Sequence, residues 1–526
     1  MIKQLIAIRI RALLAAANGK NKRGGGTLSG AKLALFIGLY ALLALIFAGL
    51  FAMTSFGMAF IMLPLGQDAM YFGMLMTVTF AVVFFFSVFE TKSELFDCRD
   101  NELLLSMPIK PRDIILSRIF TVLALNYIVT LIVMLPAVVI YGFMGGSIMG
   151  ILGGTLVILL LPLPIAALSS GVGYVVAVIS KKLKNNSVLT ALVSLLLVAV
   201  FYAGYFALLN PEDEMIGESI AAMAVNPFMQ AVGSAALLDP LAASIFVLSS
   251  VVISLVAYKI ISIGYFSLLS SRATGKKQVY RSKRVEKRGA VIAVAIKDLR
   301  RLVSSAMLML NGCAGVMLSL LLCGGLIFAG AELEAFSEAL APLGNVLPVL
   351  LAGSLVLTGG MNTLSSCLLS LEGQSLWILR SSPVRARDVL FGKALAHFVV
   401  SAPFSLIAAV AVIACSGAQI LEIPLILLIT LVSNVFFALL GICFNVAFPK
   451  FDFDNEMQPV KQSMPVFFMM LAATLIGLAC SGGGMALCVI SSPLIALLSM
   501  LLLLLVLCAV AFLLVVGPCT RRFDKF

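Results

Sequence analysis

Apolar runs of about twenty residues, each with few or no charges, recur from end to end of this 526-residue chain. In helical form a run of that length crosses the roughly 30 Å hydrocarbon layer of a bilayer. A helix on the core of a soluble protein needs only one apolar stripe. The pattern predicts twelve spans, at about 33–63, 70–89, 119–141, 148–179, 188–209, 241–269, 305–330, 344–370, 394–416, 419–448, 464–481 and 485–517. The chain is 62% hydrophobic and 11% charged, far from the roughly one-quarter charged share of soluble domains. The fold class implied is an all-α polytopic membrane protein.

Charge gives an orientation. With the N-terminus placed in the cytoplasm, 35 of the 36 Lys and Arg residues fall on that side. The last, Lys259, sits toward the same end of the sixth span and can snorkel to it. Such asymmetry is the positive-inside pattern, with both termini cytoplasmic. The net charge of +12 then describes a basic inner face and not a nucleic-acid surface. Acids such as Asp68, Asp239, Glu338 and Glu422 fall in short outer loops, too short to form a ligand-capturing domain. The ten cysteines are scattered without a CxxC pair and read as small packing residues. Cys480 and Cys488 flank a Gly-rich stretch read as an outer turn, where a disulfide is conceivable.

The chain is also written twice. ELLLSMPIKPRDIILSR at Glu102–Arg118 and SLWILRSSPVRARDVLFGK at Ser375–Lys393 share one grammar. With Pro108 set on Pro383, Ser106 meets Ser381, Lys110 meets Arg385, Arg112 meets Arg387, Asp113 meets Asp388, and Arg118 meets Lys393. Nine residues before each Ser, Asp97 meets Glu372. Each copy follows the second span of its half and precedes the third. The halves also open alike, on MIKQLIAIRIRALL and AVIAVAIKDLRRLV. In the second, Ile292, Ile296, Leu299 and Val303 form a helical stripe that Lys297, Arg300 and Arg301 avoid. Helices of this kind lie in the membrane interface. The implied organisation is a first six-helix half at 1–270, a basic linker at 271–289 and a second six-helix half at 290–526, as parallel repeats about an axis normal to the membrane.

Each repeated segment reads as a short helix–turn–helix at the inner mouth. An amphipathic stretch (Leu376, Trp377 and Ile378 in the second copy) stops at Ser-x-Pro, because proline disfavours helix in the residue before it. A new helix then starts with Asp113 or Asp388 in its first turn, where a carboxylate suits the helix dipole. Positive-inside charge alone needs basic residues but no repeated Ser-x-Pro and Asp. Two matched copies suit a symmetric docking partner.

At this point the chain resembles the membrane subunits of ABC transporters of the ABC-2, exporter-like type. In that family each six-span half opens with an interfacial elbow helix and carries a coupling helix between its second and third spans. The loop FPKFDFDNEMQPVKQS, Phe448–Ser463, is also similar to that of bacterial fused permeases of this kind. The resemblance implies that Glu102, Ser106, Pro108, Lys110, Arg112, Asp113, Arg118, Glu372, Trp377, Ser381, Pro383, Arg385, Arg387, Asp388 and Lys393 serve ATPase docking. It implies two copies of a cytoplasmic ATPase as partners, with ATP and magnesium bound there and no cofactor in this chain. It also implies a bacterial plasma membrane, lipid around the chain and a transported substrate that the sequence does not name. Lys450, Asp452, Asp454, Glu456 and Lys461 lie in a cytoplasmic loop read either as solvated, or as a support that braces Arg385 and Arg387 or touches the ATPase.

The missing engines point the same way. No Gly-x-x-x-x-Gly-Lys-Ser/Thr phosphate loop occurs. The spans hold almost no acids, where a proton-driven carrier usually keeps one. His397, the single histidine, reads as packing before proton relay. The acidic run Asp452–Glu456 lacks the Gly and Glu that an EF-hand needs. Rival readings are a major-facilitator carrier, whose Gly-rich loop is absent because no glycine lies between Gly73 and Gly142, and a scramblase or membrane enzyme. Asn126, Asn311, Asn362, Asn434 and Asn445 inside spans could line a pathway or bond helices together.

Overall fold

Hydrocarbon offers the backbone no partners, so a chain read as this one is must satisfy its amides within each segment. The computed structural model describes residues 30–91, 94–95, 107, 109, 111–182, 227–270, 289–328, 337, 344–453, 457–461 and 463–526. Among these every regular element is helical and none is a strand. The chain forms two compact units, one holding Gly26–Lys277 and the other Gln278–Phe526.

The first unit contains α1 (Gly30–Met62), α2 (Asp68–Thr91), α3 (Pro111–Phe143), α4 (Ile148–Leu160), α5 (Pro162–Lys182), α6 (Pro227–Ser234) and α7 (Pro240–Ser270). Its core includes a knot of aromatics in which the ring centroids of Tyr71, Phe72 and Tyr141 lie within 6 Å of one another. The Tyr71 hydroxyl donates to Ala137 O at 2.8 Å, and the Tyr141 hydroxyl donates to Asp68 Oδ2 at 2.6 Å. Asp68, read as an outer-loop acid, therefore starts a helix and anchors a buried tyrosine.

The second unit contains α8 (Ala290–Ser304), α9 (Ala306–Gly312), α10 (Ala314–Phe328), α11 (Leu347–Gly360), α12 (Leu364–Leu368), α13 (Leu376–Ser381), α14 (Ala386–Cys415), α15 (Glu422–Ala447), α16 (Met457–Lys461), α17 (Met464–Leu478), α18 (Gly484–Ile490), α19 (Pro493–Leu514) and α20 (Thr520–Phe523). Leu355, Val412, Ile426, Phe437, Ala473 and Leu504, from α11, α14, α15, α17 and α19, are fully buried in one cluster. Large apolar side chains left exposed along the spans, such as Leu502 and Val506 on α19, suit a lipid surround.

Ten helices in the described residues are long and apolar enough to cross a membrane, and Ala314–Ile327 is a shorter apolar one. The predicted span at 188–209 and the amphipathic stretch at the N-terminus lie outside the described residues. Three expectations change. The Gly-rich stretch is no turn: Ala479–Gly483 is a π-helical turn within a helix that runs on to Ile490. Cys480 and Cys488 are therefore eight residues apart along one helical path, and both are free thiols. Glu422 is buried, and its carboxylate accepts the Gln419 N–H at 2.9 Å to close the turn before α15.

Candidate functional site

The second repeated segment is described in full. After α12 the chain makes a 3-10 turn over Ser370–Ser375, then α13, then an extended turn through Pro383 into α14. Gly373 sits in that turn at φ +51°, a conformation other residues rarely adopt, packed against Phe453 and Phe451 O. Asp388 lies in the first turn of α14, 3.8 Å from the Arg387 guanidinium. The tip is exposed: Trp377 at 67%, with Ile378, Arg380, Ser381, Pro383, Arg385 and Arg387 also open to solvent.

Below the tip lies a buried charge cluster. Lys393 is 0% exposed, and its ammonium donates to Glu372 Oε1 at 2.6 Å, Asp298 Oδ2 at 3.1 Å and Leu368 O at 3.1 Å. All three ammonium protons thus have acceptors. Lys297 joins from α8 with a hydrogen bond to the same Glu372 oxygen. Two cations meet two anions, so the cluster is neutral and its desolvation is offset by direct pairing. It ties α8, the 3-10 turn and α14 together. Gly392 permits the approach, since a Cβ there would sit 2.7 Å from Val291 O and from Val294 Cβ on α8.

This geometry sorts the expected residues. Trp377, Ser381, Pro383, Arg385 and Arg387 share the exposed tip, with Asp388 half-buried beside them. Glu372 and Lys393 do not: they point inward and spend their charge on each other, so neither offers a docking contact. In the first copy Arg112 is exposed and Asp113 half-buried. Arg118 is wholly buried, and its guanidinium donates to Glu94 O. It thus repeats the Lys393 arrangement, a buried cation reaching back to a backbone carbonyl before the segment. Glu102, Ser106, Pro108 and Lys110 lie outside the described residues.

The supporting loop braces the segment differently from the expectation. Asp452 is exposed and forms no ion pair among the described residues; Asp454 and Glu456 lie outside them. Bracing comes from Phe451 and Phe453 against Gly373, and from Ser370 Oγ, which donates to Asn445 Oδ1 at 2.6 Å and accepts the Lys450 N–H at 3.0 Å. Burial holds the Lys450 ammonium below the usual lysine range. Lys461 is half-buried. The chain end joins in, as Arg380 donates to Asp524 O at 3.2 Å and the Phe526 ring meets Phe451 edge-on at 5.4 Å.

Sequence reasoning missed Asp298 on α8. Ile292 and Val303 of its apolar stripe are exposed, while Val294, Ala295, Asp298 and Leu302 pack inward. A lone acid within a basic stretch was the available signal. Two of the span asparagines bond helix to helix: Asn126 donates to Ser87 Oγ at 3.0 Å, and Asn445 donates to Ser365 O at 3.3 Å.

Residues 35–514 match a family described as membrane proteins of twelve transmembrane segments. The chain belongs to that family. No curated protein and no solved structure matches it. Ten long apolar helices and the shorter Ala314–Ile327 stand among the described residues; the apolar run at 188–209 lies outside them.

Proposed function

We propose that this chain is the membrane permease of an ATP-driven transporter of the ABC-2, exporter-like type. Two separate ATPase subunits dock on the segments Glu102–Arg118 and Ser375–Lys393 and supply ATP and magnesium; this chain carries neither engine nor catalytic residue. It moves a lipid, peptide or amphiphilic compound outward across a bacterial plasma membrane, with both termini in the cytoplasm.

One observation carries the reading. An exposed tip bearing Trp377, Arg385 and Arg387 stands on a stem whose charges are buried and locked to α8 and α14. A solvated loop needs no such stem. A lever does, because a push on the tip must reach a span without being lost in side-chain motion. Aromatic and arginine residues are also those that anchor protein interfaces.

The test is affinity capture of the tagged chain from native membranes in mild detergent, with mass spectrometry of what accompanies it. A soluble protein with a phosphate-binding loop should co-purify, and should be lost when Trp377→Ala, Arg385→Glu and Arg387→Glu are combined. A chain that comes down alone would bring the carrier or scramblase reading forward.

A further inference from the structure

The seventh and eighth spans are both interrupted, and the interruptions meet. α9 stops at Gly312 and α10 resumes at Ala314; α11 stops at Gly360 and α12 resumes at Leu364. The Thr363 N–H donates to Gly312 O at 3.1 Å, and the Val316 N–H donates to Asn362 Oδ1 at 3.0 Å. Non-helical backbone at membrane depth persists where protein or a polar cavity satisfies it. These bonds do part of that work.

A third element does more. The Ser365 N–H donates to Nδ1 of His397 on α14, at 3.2 Å. A ring nitrogen that accepts carries no proton, so the neutral imidazole must bear its proton on Nε2. His397 is 0% exposed, and its Nε2 has no protein acceptor. Ser401, one turn along the same face of α14, is buried with its Oγ unpartnered. Asn362 Nδ2, at the break itself, is buried in the same condition. The break and the helix that closes it therefore present two N–H donors and a hydroxyl, all sealed from solvent.

The charge around them decides what they receive. One turn before His397 stands Lys393, already bonded to Asp298 and Glu372, with Lys297 on Glu372. Those four charges balance one another, Arg301 on α8 also acts on α12, and the chloride exchange described below separates a water from an anion. The donors call for a small uncharged acceptor, and a buried water typically bonds two to four such groups.

We propose that the break in the eighth span is a built water site, held by His397 Nε2–H, Ser401 Oγ and Asn362 Nδ2–H. The occupant lets the chain keep a break at membrane depth, and His397 is its positioning residue. The same geometry removes His397 from any proton path, because a proton arriving at Nδ1 would face the Ser365 N–H. This inference stands apart from the docking reading and survives its failure.

One histidine in 526 residues makes the test unambiguous. The full chain, labelled with nitrogen-15 histidine alone and reconstituted in lipid bilayers, gives one imidazole signal pair in solid-state NMR. The expected result is a protonated Nε2, a bare Nδ1, and magnetisation transfer from water protons to Nε2. In Ser401→Ala that transfer should fall by about half or more, one partner of the water having gone, with the Nδ1 signal unmoved. A protonated Nδ1, absent water transfer, or transfer unchanged in Ser401→Ala would overturn the proposal. So would an Nε2 shift on replacing chloride with gluconate, which would make the occupant an anion.

Discussion

Lys393 is the residue whose loss should cost the second unit most. Lys393→Met keeps most of the side chain's bulk and removes its charge. Glu372 then keeps Lys297, but Asp298, at 1% exposure, keeps only a 3.7 Å approach to that lysine. Breaking a buried pair costs about 3–5 kcal/mol, and the retained Lys297 sets this case near the lower end, about 3 kcal/mol. At about 1.4 kcal/mol per decade, that is roughly a hundred-fold in the folded ratio. Lys297 is 42% exposed and screened by solvent, so Lys297→Met should cost about 1 kcal/mol or less. Adding Asp298→Asn to Lys393→Met removes the stranded charge and should recover much of the loss. The assay is thermal unfolding in lipid nanodiscs followed by tryptophan emission. Trp377 is the chain's one tryptophan and sits in α13, so the signal reports on this segment without a label. Equal melting of Lys297→Met and Lys393→Met, or no recovery on adding Asp298→Asn, would refute the buried-cluster reasoning.

Other outcomes follow from the same contacts. Gly392→Ala should lower the melting temperature, because its Cβ meets the α8 backbone and overpacking of that kind costs about 1–3 kcal/mol; Ala394→Gly at a neighbouring buried position controls for helix propensity. Tyr141→Phe should destabilise the first unit by about 1.5–3 kcal/mol through loss of the bond to the Asp68 carboxylate, read as earlier protease cleavage of that half on heating. Maleimide labelling of the unfolded, unreduced chain should match that of the reduced chain, since Cys480 and Cys488 are free thiols; a reductant-dependent gain at those two would contradict the helical path through Ala479–Gly483.

Much of the fold was legible because hydrocarbon imposes one rule on many residues at once. Length and lack of charge place a span whatever its neighbours do, so most spans lie within a few residues of their helices. The Gly-rich stretch misled because glycine breaks helices readily in water, whereas inside a span the backbone bonds must be kept and Ala479–Gly483 absorbs the strain as a π turn. At the candidate site the tip was readable, since Ser-x-Pro and the following Asp act through local backbone rules. The stem was not. A basic residue at the start of a span reads the same whether it snorkels outward or pairs inward, and the Lys393 partners come from 21 and 95 residues away. Asp298 stayed hidden for a related reason: α8 turns Ile292 and Val303 outward, as an interfacial helix does, and leaves Asp298 for the core.

The docking of an ATPase on the exposed tip is the central claim, and position 377 tests it most directly. A photo-crosslinking amino acid placed there in the full chain, activated in native membranes, should yield an adduct with a soluble protein carrying a phosphate-binding loop, and the adduct should fade when Arg385→Glu and Arg387→Glu are added. Adducts confined to lipid, or a protein adduct indifferent to those arginines, would contradict it.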